Sequence, residues 1–127
     1  MVKRTGSKVI WMLLTLCFAL AAHGQDAKIT ASSTRTTVGT DEVFRVVFRA
    51  EGRGIEILPP KFDHFDVVRG PFTSQQTTMI NGDVSFLYEL SYDLVAKEVG
   101  VFEIEPVKAK KGRKELYSNA LRIEVRE

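Results

Sequence analysis

Residues Val84–Val95 read VSFLYELSYDLV, and their alternation decides the fold. Val84, Phe86, Tyr88, Leu90, Tyr92 and Leu94 fall on one side of an extended chain. Ser85, Glu89, Ser91 and Asp93 fall on the other, with Leu87 and Val95 as exceptions. Side chains of a strand project alternately to opposite faces, so this period of two predicts a strand with one face in a core. Just before it stands Asn81-Gly82, whose residues both tolerate positive φ and predict a type I′ hairpin. The same alternation recurs in Val43–Ala50, where Phe44, Val46, Phe48 and Ala50 oppose Arg45 and Arg49. It recurs again where Leu121, Ile123 and Val125 alternate with Arg122, Glu124 and Arg126.

Shorter strands are expected at Lys28–Ser32, Ile55–Leu58, Phe65–Arg69, Phe72–Ile80, Val101–Val107 and Glu115–Tyr117. Gly52-Arg53-Gly54, Pro59-Pro60, Gly70-Pro71, Gly100 and Lys111-Gly112 punctuate them. No segment after the leader carries a helical stripe. About eight or nine short strands in roughly 100 residues predict an all-β chain, an immunoglobulin-like antiparallel β-sandwich, with a small closed barrel as the alternative. The Cys…Trp…Cys spacing of antibody domains is absent, since the only Trp is Trp11.

The chain has 127 residues, enough for a single domain. Its amino terminus is expected to be a cleavable signal peptide over residues 1–24. Lys3, Arg4 and Lys8 precede Val9–Ala22, an unbroken run of 14 apolar and small residues. At about 1.5 Å per residue, a helix of that run falls short of the roughly 30 Å hydrocarbon core of a bilayer. Ala22-His23-Gly24 supplies small residues for cleavage before Gln25, leaving residues 25–127 as one sandwich domain. Cys17 follows Leu16 rather than a small residue, so it reads as part of the signal peptide and not as a lipidation site. The exported part then has no Cys, hence no disulfide and no thiolate. Setting aside the three leader cations leaves 15 of the 18 basic residues against 16 acids, a net charge of −1. That balance and the export signal both argue against nucleic acid as a partner.

Candidate chemistry is sparse, and the residues predict no enzyme, no cofactor and no metal. His64, in Asp63-His64-Phe65-Asp66, is the sole imidazole after the leader. Strand alternation sends Asp63 to the opposite side from His64 and Asp66, which is too few ligands for a closed site. Glu103 and Glu105 share a strand face but read as a wet edge. Lys108, Lys110, Lys111, Arg113 and Lys114 form a dense basic cluster, read as a solvated hairpin tip around Lys111-Gly112. The more informative stretch is Gly70–Ile80 (GPFTSQQTTMI). Thr73, Gln75 and Thr77 alternate with Ser74, Gln76 and Thr78, so neither face is apolar. Such a strand belongs at a sheet edge, and Phe72, Thr73, Ser74, Gln75, Gln76, Thr77 and Thr78 form the candidate partner-binding edge.

The order of motifs resembles a known family. Val38-Gly39 precedes Phe44-x-Val46-x-Phe48; Pro60-Lys61-Phe62 leads to Phe65 and Val67; Gly70-Pro71 opens the Ser/Thr/Gln strand. Ile80-Asn81-Gly82 then leads into Tyr88-x-Leu90-x-Tyr92-x-Leu94, Gly100-x-Phe102-x-Ile104-x-Pro106, Ser118 and a closing Ile/Val strand. This resembles the amino-terminal region of BatD, the oxygen-tolerance (aerotolerance) family of bacterial Bat operons. The resemblance implies a non-enzymatic protein-interaction domain of a membrane-associated complex, exported to the periplasm or the outer face of the cytoplasmic membrane. Its implied partners are the von Willebrand A-type and tetratricopeptide envelope proteins of the same operon. It also implies further domains and a carboxy-terminal membrane segment that this sequence does not contain. No catalytic residue is carried over. The alternative is an exported glycan-binding or adhesive sandwich, for which Phe72 and Tyr117 are the candidate stacking rings.

Overall fold

The computed structural model describes residues 27–127, so the expected signal peptide and its Cys17 lie outside the described residues. The described chain forms ten strands: β1 Lys28–Ser33, β2 Thr37–Gly39, β3 Phe44–Glu51, β4 Ile55–Ile57, β5 Phe65–Ile80, β6 Asp83–Ala96, β7 Gly100–Ile104, β8 Lys108–Lys111, β9 Lys114–Tyr117 and β10 Leu121–Arg126. The first layer is a four-stranded sheet of order β1-β3-β6-β5, antiparallel throughout. Read as strands A, B, E and D, this is the order of one immunoglobulin sheet.

The second layer comprises two three-stranded sheets, β2-β10-β7 and β4-β8-β9, which are the two ends of a single hairpin. Ile104 of β7 opposes Leu121 of β10, and Lys108 of β8 opposes Tyr117 of β9, so both ends keep one register. At the break between them, Pro106 has no N–H to give a ladder. The Ser118 N–H still bonds the Val107 carbonyl at 2.9 Å, while the Val107 N–H is accepted by Ser118 Oγ at 2.8 Å. The side chain thus stands in for a carbonyl where the two strands bend together. With β7–β8 as strand F, β9–β10 as G, β4 as C and β2 parallel to β10, the domain is an immunoglobulin-like sandwich.

Burial follows the alternation. Phe44, Val46, Phe48 and Ala50 of β3 are buried, and the first three meet Ile123 and Val125 of β10, Leu90 and Leu94 of β6, and Ile29 and Ala31 of β1 in one core. Phe65 packs edge-on against Phe44, with centroids 5.4 Å apart. A side-chain clasp also joins the layers. The Asn119 amide accepts from the Ala31 N–H at 2.9 Å and donates to the Ala31 carbonyl at 3.0 Å, so it acts as one residue of an extra strand beside β1.

Several expectations are corrected. Phe65–Arg69 and Phe72–Ile80 are not separate strands: β5 runs through both, with register shifts between Val67, Arg69 and Phe72 that absorb Gly70-Pro71 as a bulge. Gly70 sits at φ +113°, and a Cβ there would lie 3.0 Å from the Ser91 carbonyl oxygen, so the bulge needs glycine. The strand expected over Val101–Val107 ends at Ile104, and β8 follows the break at Pro106 as a strand of its own. Thr37–Gly39 forms an unexpected strand, parallel to β10. Finally, Val84 is not in the core. It is 40% exposed, because β6 outruns the strand beside it.

Replacing Ser118 by Ala strands the buried Val107 N–H, which costs about 1–3 kcal/mol. The expected outcome is a lower urea midpoint with an unchanged slope for Ser118→Ala; an unchanged midpoint would show that the bend holds without the hydroxyl.

Candidate functional site

The length mismatch between β3 and its neighbours shapes the surface. The β3–β6 ladder ends with Glu51 opposite Leu87, and Gly52 N–H still bonds the Phe86 carbonyl at 3.0 Å. Beyond that point Asp83–Ser85 pairs only with Thr78–Ile80 of β5, so the β5–β6 hairpin overhangs the sheet. Asn81 and Gly82 close it at φ 53° and 84°, a type I′ turn. Of the 16 residues of β5, only Phe65 is buried.

The candidate edge Phe72–Thr78 lies wholly on β5, the outermost strand of its sheet, paired on one side with β6. Phe72, Ser74, Gln76 and Thr78 share the outer face, opposite Ser91, Glu89, Leu87 and Ser85. Thr73, Gln75 and Thr77 face inward opposite Leu90, Tyr88 and Phe86. The short β4 does not cover this inward face. A cleft of about 430 Å³ opens there, lined by Ile55 and Ile57 of β4 and by Gln75, Thr77, Phe86 and Tyr88. The stretch Phe72–Ile80 contains no charge, Pro or Gly. Charge and Pro are usual devices that keep an edge from accepting another strand. The bulge and Arg69 guard only the other half of β5.

Next to that edge lies a cluster that strand alternation alone does not reveal. Asp93 projects from the outer face, where a polar residue ordinarily meets water, yet its side chain is only 4% exposed. Arg45 from β3 grips it with two bonds, Nε to Oδ1 at 2.8 Å and Nη2 to Oδ2 at 3.2 Å. Arg69 from the bulge reaches Oδ2 at 3.1 Å. Phe72 completes the cover, with the Arg45 guanidinium 5.0 Å from its ring centre. The hydrogen bond from Arg45 holds the Asp93 carboxyl below its ordinary value against the opposing effect of burial, and the charges of both arginines assist. The cluster fixes the bulge, and hence Phe72, to β6. One signal was available in the sequence: a lone Asp between Tyr92 and Leu94, in register with one of only two arginines on the β3 stretch.

The remaining candidates are scattered. His64 stacks on Phe102, with centroids 4.5 Å apart, and among the described residues no three metal-ligating side chains converge. Tyr117 is 60% exposed on the second layer, opposite Lys108, with its hydroxyl donating to Glu115 at 3.2 Å. Phe72 belongs to the outer face of the first layer, so the two rings proposed for sugar stacking do not form one platform. Glu103 opposes Arg122 across β7–β10. Lys108 of the basic cluster bonds Glu115 at 2.9 Å, while Lys110, Lys111, Arg113 and Lys114 line the β8–β9 hairpin and its turn.

A family model described as the BatD DUF11 like domain matches residues 31–125, nearly the whole sandwich. The chain belongs to the BatD family. The match runs from β1 into β10 and so takes in both the core and the β5–β6 hairpin. A comparison with curated proteins returned no match.

Because Asp93 titrates lower when folded, the stability it supplies in this BatD-family domain is present above the unfolded carboxyl value of about 3.9. It is lost as pH falls through the lower folded value. Asp93→Asn is therefore expected to lower the urea midpoint at neutral pH and to shrink the loss of stability between neutral pH and pH 3. Parallel acid profiles for the two proteins would show that the ion cluster does not set this dependence.

Proposed function

We propose that this BatD-family domain is an exported, non-enzymatic protein-interaction module of the cell envelope, and that it holds a partner by strand addition at the free edge of β5. The observation that carries the reading is the nine-residue run Phe72–Ile80, uncharged and paired on one side only. Backbone N–H and C=O groups along such an edge supply affinity for an extended segment, and alternate side chains supply selectivity. The cleft beside Gln75 and Thr77 gives inward side chains of that segment a place to rest. Anchoring of Phe72 by Arg45, Arg69 and Asp93 fixes the edge where the added strand would end, which lowers the ordering cost of binding.

Family membership supports a role within a Bat-operon complex linked to oxygen tolerance, with von Willebrand A-type and tetratricopeptide proteins as partners. The basic leader with its short apolar run supports export to the periplasm or the outer face of the cytoplasmic membrane.

Affinity capture of the tagged chain from envelope extract is expected to recover the von Willebrand A-type or tetratricopeptide protein. Gln75→Lys with Thr77→Lys places charge along the edge without touching the core, and is expected to reduce recovery at least roughly tenfold while leaving the urea midpoint unchanged. Equal recovery by the variant would sink the edge as the contact surface. Recovery of neither protein by a folded chain would sink the partner assignment.

A further inference from the structure

The overhanging hairpin carries a feature beyond its free backbone edge. Its tip exposes Met79 at 71%, Ile80 at 65% and Val84 at 40%. Met79 and Val84 are a cross-strand pair, followed on the same face by Phe86, while Ile80 opposes Asp83 on the other face. Single exposed apolar side chains are ordinary on a protein surface. Here they are gathered at one tip that stands about 10 Å beyond the last β3–β6 pair, at about 3.4 Å per residue. The type I′ turn closes the hairpin directly above them.

The fold brings the basic cluster to the same end. Lys111 opposes Ile55, two residues after Arg53, and the Arg53 guanidinium lies 5.5 Å from the centre of the Phe86 ring. Arg53 and Lys111 line a cleft of about 960 Å³ together with Val84 and Phe86, and with Glu51 and Asp83. Lys110, Arg113 and Lys114 continue the positive charge around the β8–β9 turn. None of these five cations is in an ion pair among the described residues, whereas Lys108 and Glu115 neutralise each other. Among the described residues, Glu51, Glu56, Asp83 and Glu115 are acids at this end, and Lys110 lies opposite both Glu56 and Glu115. The opposite end of the sandwich carries Asp41, Glu42, Asp63 and Glu98 in the β2–β3, β4–β5 and β6–β7 connections and Asp66 at the start of β5, with Lys61 beside them and Glu42 and Asp66 paired to Arg35 and Lys97. After these pairs, a small excess of acid remains at that end and a small excess of base at the hairpin end.

We propose that this end of the domain docks on an anionic phospholipid bilayer, with Met79, Ile80 and Val84 entering the interface and Arg53, Lys110, Lys111, Arg113 and Lys114 meeting the headgroups. Charge complementarity selects the occupant. Cations around an apolar tip match a surface that is negative in its outermost layer and apolar just beneath it. A soluble polyanion would satisfy the cations and leave the tip in water. A purely apolar protein groove would satisfy the tip and leave the cations desolvated without partners. The contact is weak and reversible, since few side chains enter and long-range attraction is screened by salt.

Cosedimentation of the purified protein with vesicles tests this. Vesicles of phosphatidylcholine mixed with phosphatidylglycerol are expected to retain the protein, and phosphatidylcholine alone to retain far less. Met79→Ser with Ile80→Ser, and separately Lys110→Glu with Lys111→Glu, are each expected to weaken retention by roughly tenfold or more. An environment-sensitive dye on Ile80→Cys, in a Cys17→Ser background, is expected to shift to the blue on the mixed vesicles. All four tip and loop positions are solvent-facing or half-buried, and a urea midpoint for each variant checks that it folds. Retention that survives the tip substitutions, or a dye that does not shift, would overturn the proposal in favour of simple charge attraction. Absence of retention on the mixed vesicles would overturn it outright. The Gln75→Lys, Thr77→Lys variant is expected to bind vesicles at least as well as the parent, which separates this surface from the strand edge.

Discussion

The surfaces of this domain follow from a difference in strand length. β3 is the most completely buried strand of the first layer, and it stops at Glu51; β6, its partner, continues to Asp83. Had both ended together, Phe86 and Val84 would have extended the core, and β5 would have been a short, guarded edge. Because they do not, the outer part of β6 has only β5 to pair with, and the inner faces of both strands look onto a cleft instead of a second layer. The core itself needs none of this. Phe44, Phe48, Leu94, Ile123 and Val125 close it without help from any residue of the hairpin beyond Leu87. The overhang is thus an addition to a finished sandwich, and change within it is nearly free of cost to the fold.

Electrostatics then divides β5 into two halves with different duties. Near Gly70 the strand is bulged, close to β6 and locked by the two arginines that share Asp93. A single carboxylate facing two guanidiniums leaves the group positive, which discourages casual pairing there. Past Phe72 the strand has no charge until Asp83 on the far side of the turn. The first half fixes position and the second half stays available. That division makes the edge more specific than an open strand of equal length, since a segment can align only along the uncharged part.

Much of this was legible in the amino-acid order and some was not. Phe44 to Ala50 and Leu121 to Val125 alternate cleanly, because each is flanked by strands on both sides and obeys the period of two. The Gln/Thr run announced an edge for the converse reason, having no apolar face to bury. Asn81-Gly82 marked the hairpin because its chemistry is local. What escaped depended on distant residues. Nothing within Thr37–Gly39 distinguishes it from a loop until β10 lies beside it. Lys108–Lys111 is three lysines around Ala109, and only that Ala is buried. Asp93 occupies a solvent-facing position of the pattern, and its burial is created by Arg45, Arg69 and Phe72 from two other strands. Val84 keeps the alternation of its strand yet lies past the end of β3, a limit set by Gly52 more than thirty residues earlier in the chain.

The bend at Pro106 and Ser118 has one more consequence. A long hairpin of regular strands can slide by one residue while it assembles, and that slide flips its inward faces outward. Here the ladder is interrupted at the one level where a hydroxyl substitutes for a carbonyl, and only Ser118 opposite Val107 supplies that geometry. The interruption works as an index mark. Two sheets that share no strand are aligned by a single notch, and an assembly that misses it leaves a buried amide without a partner.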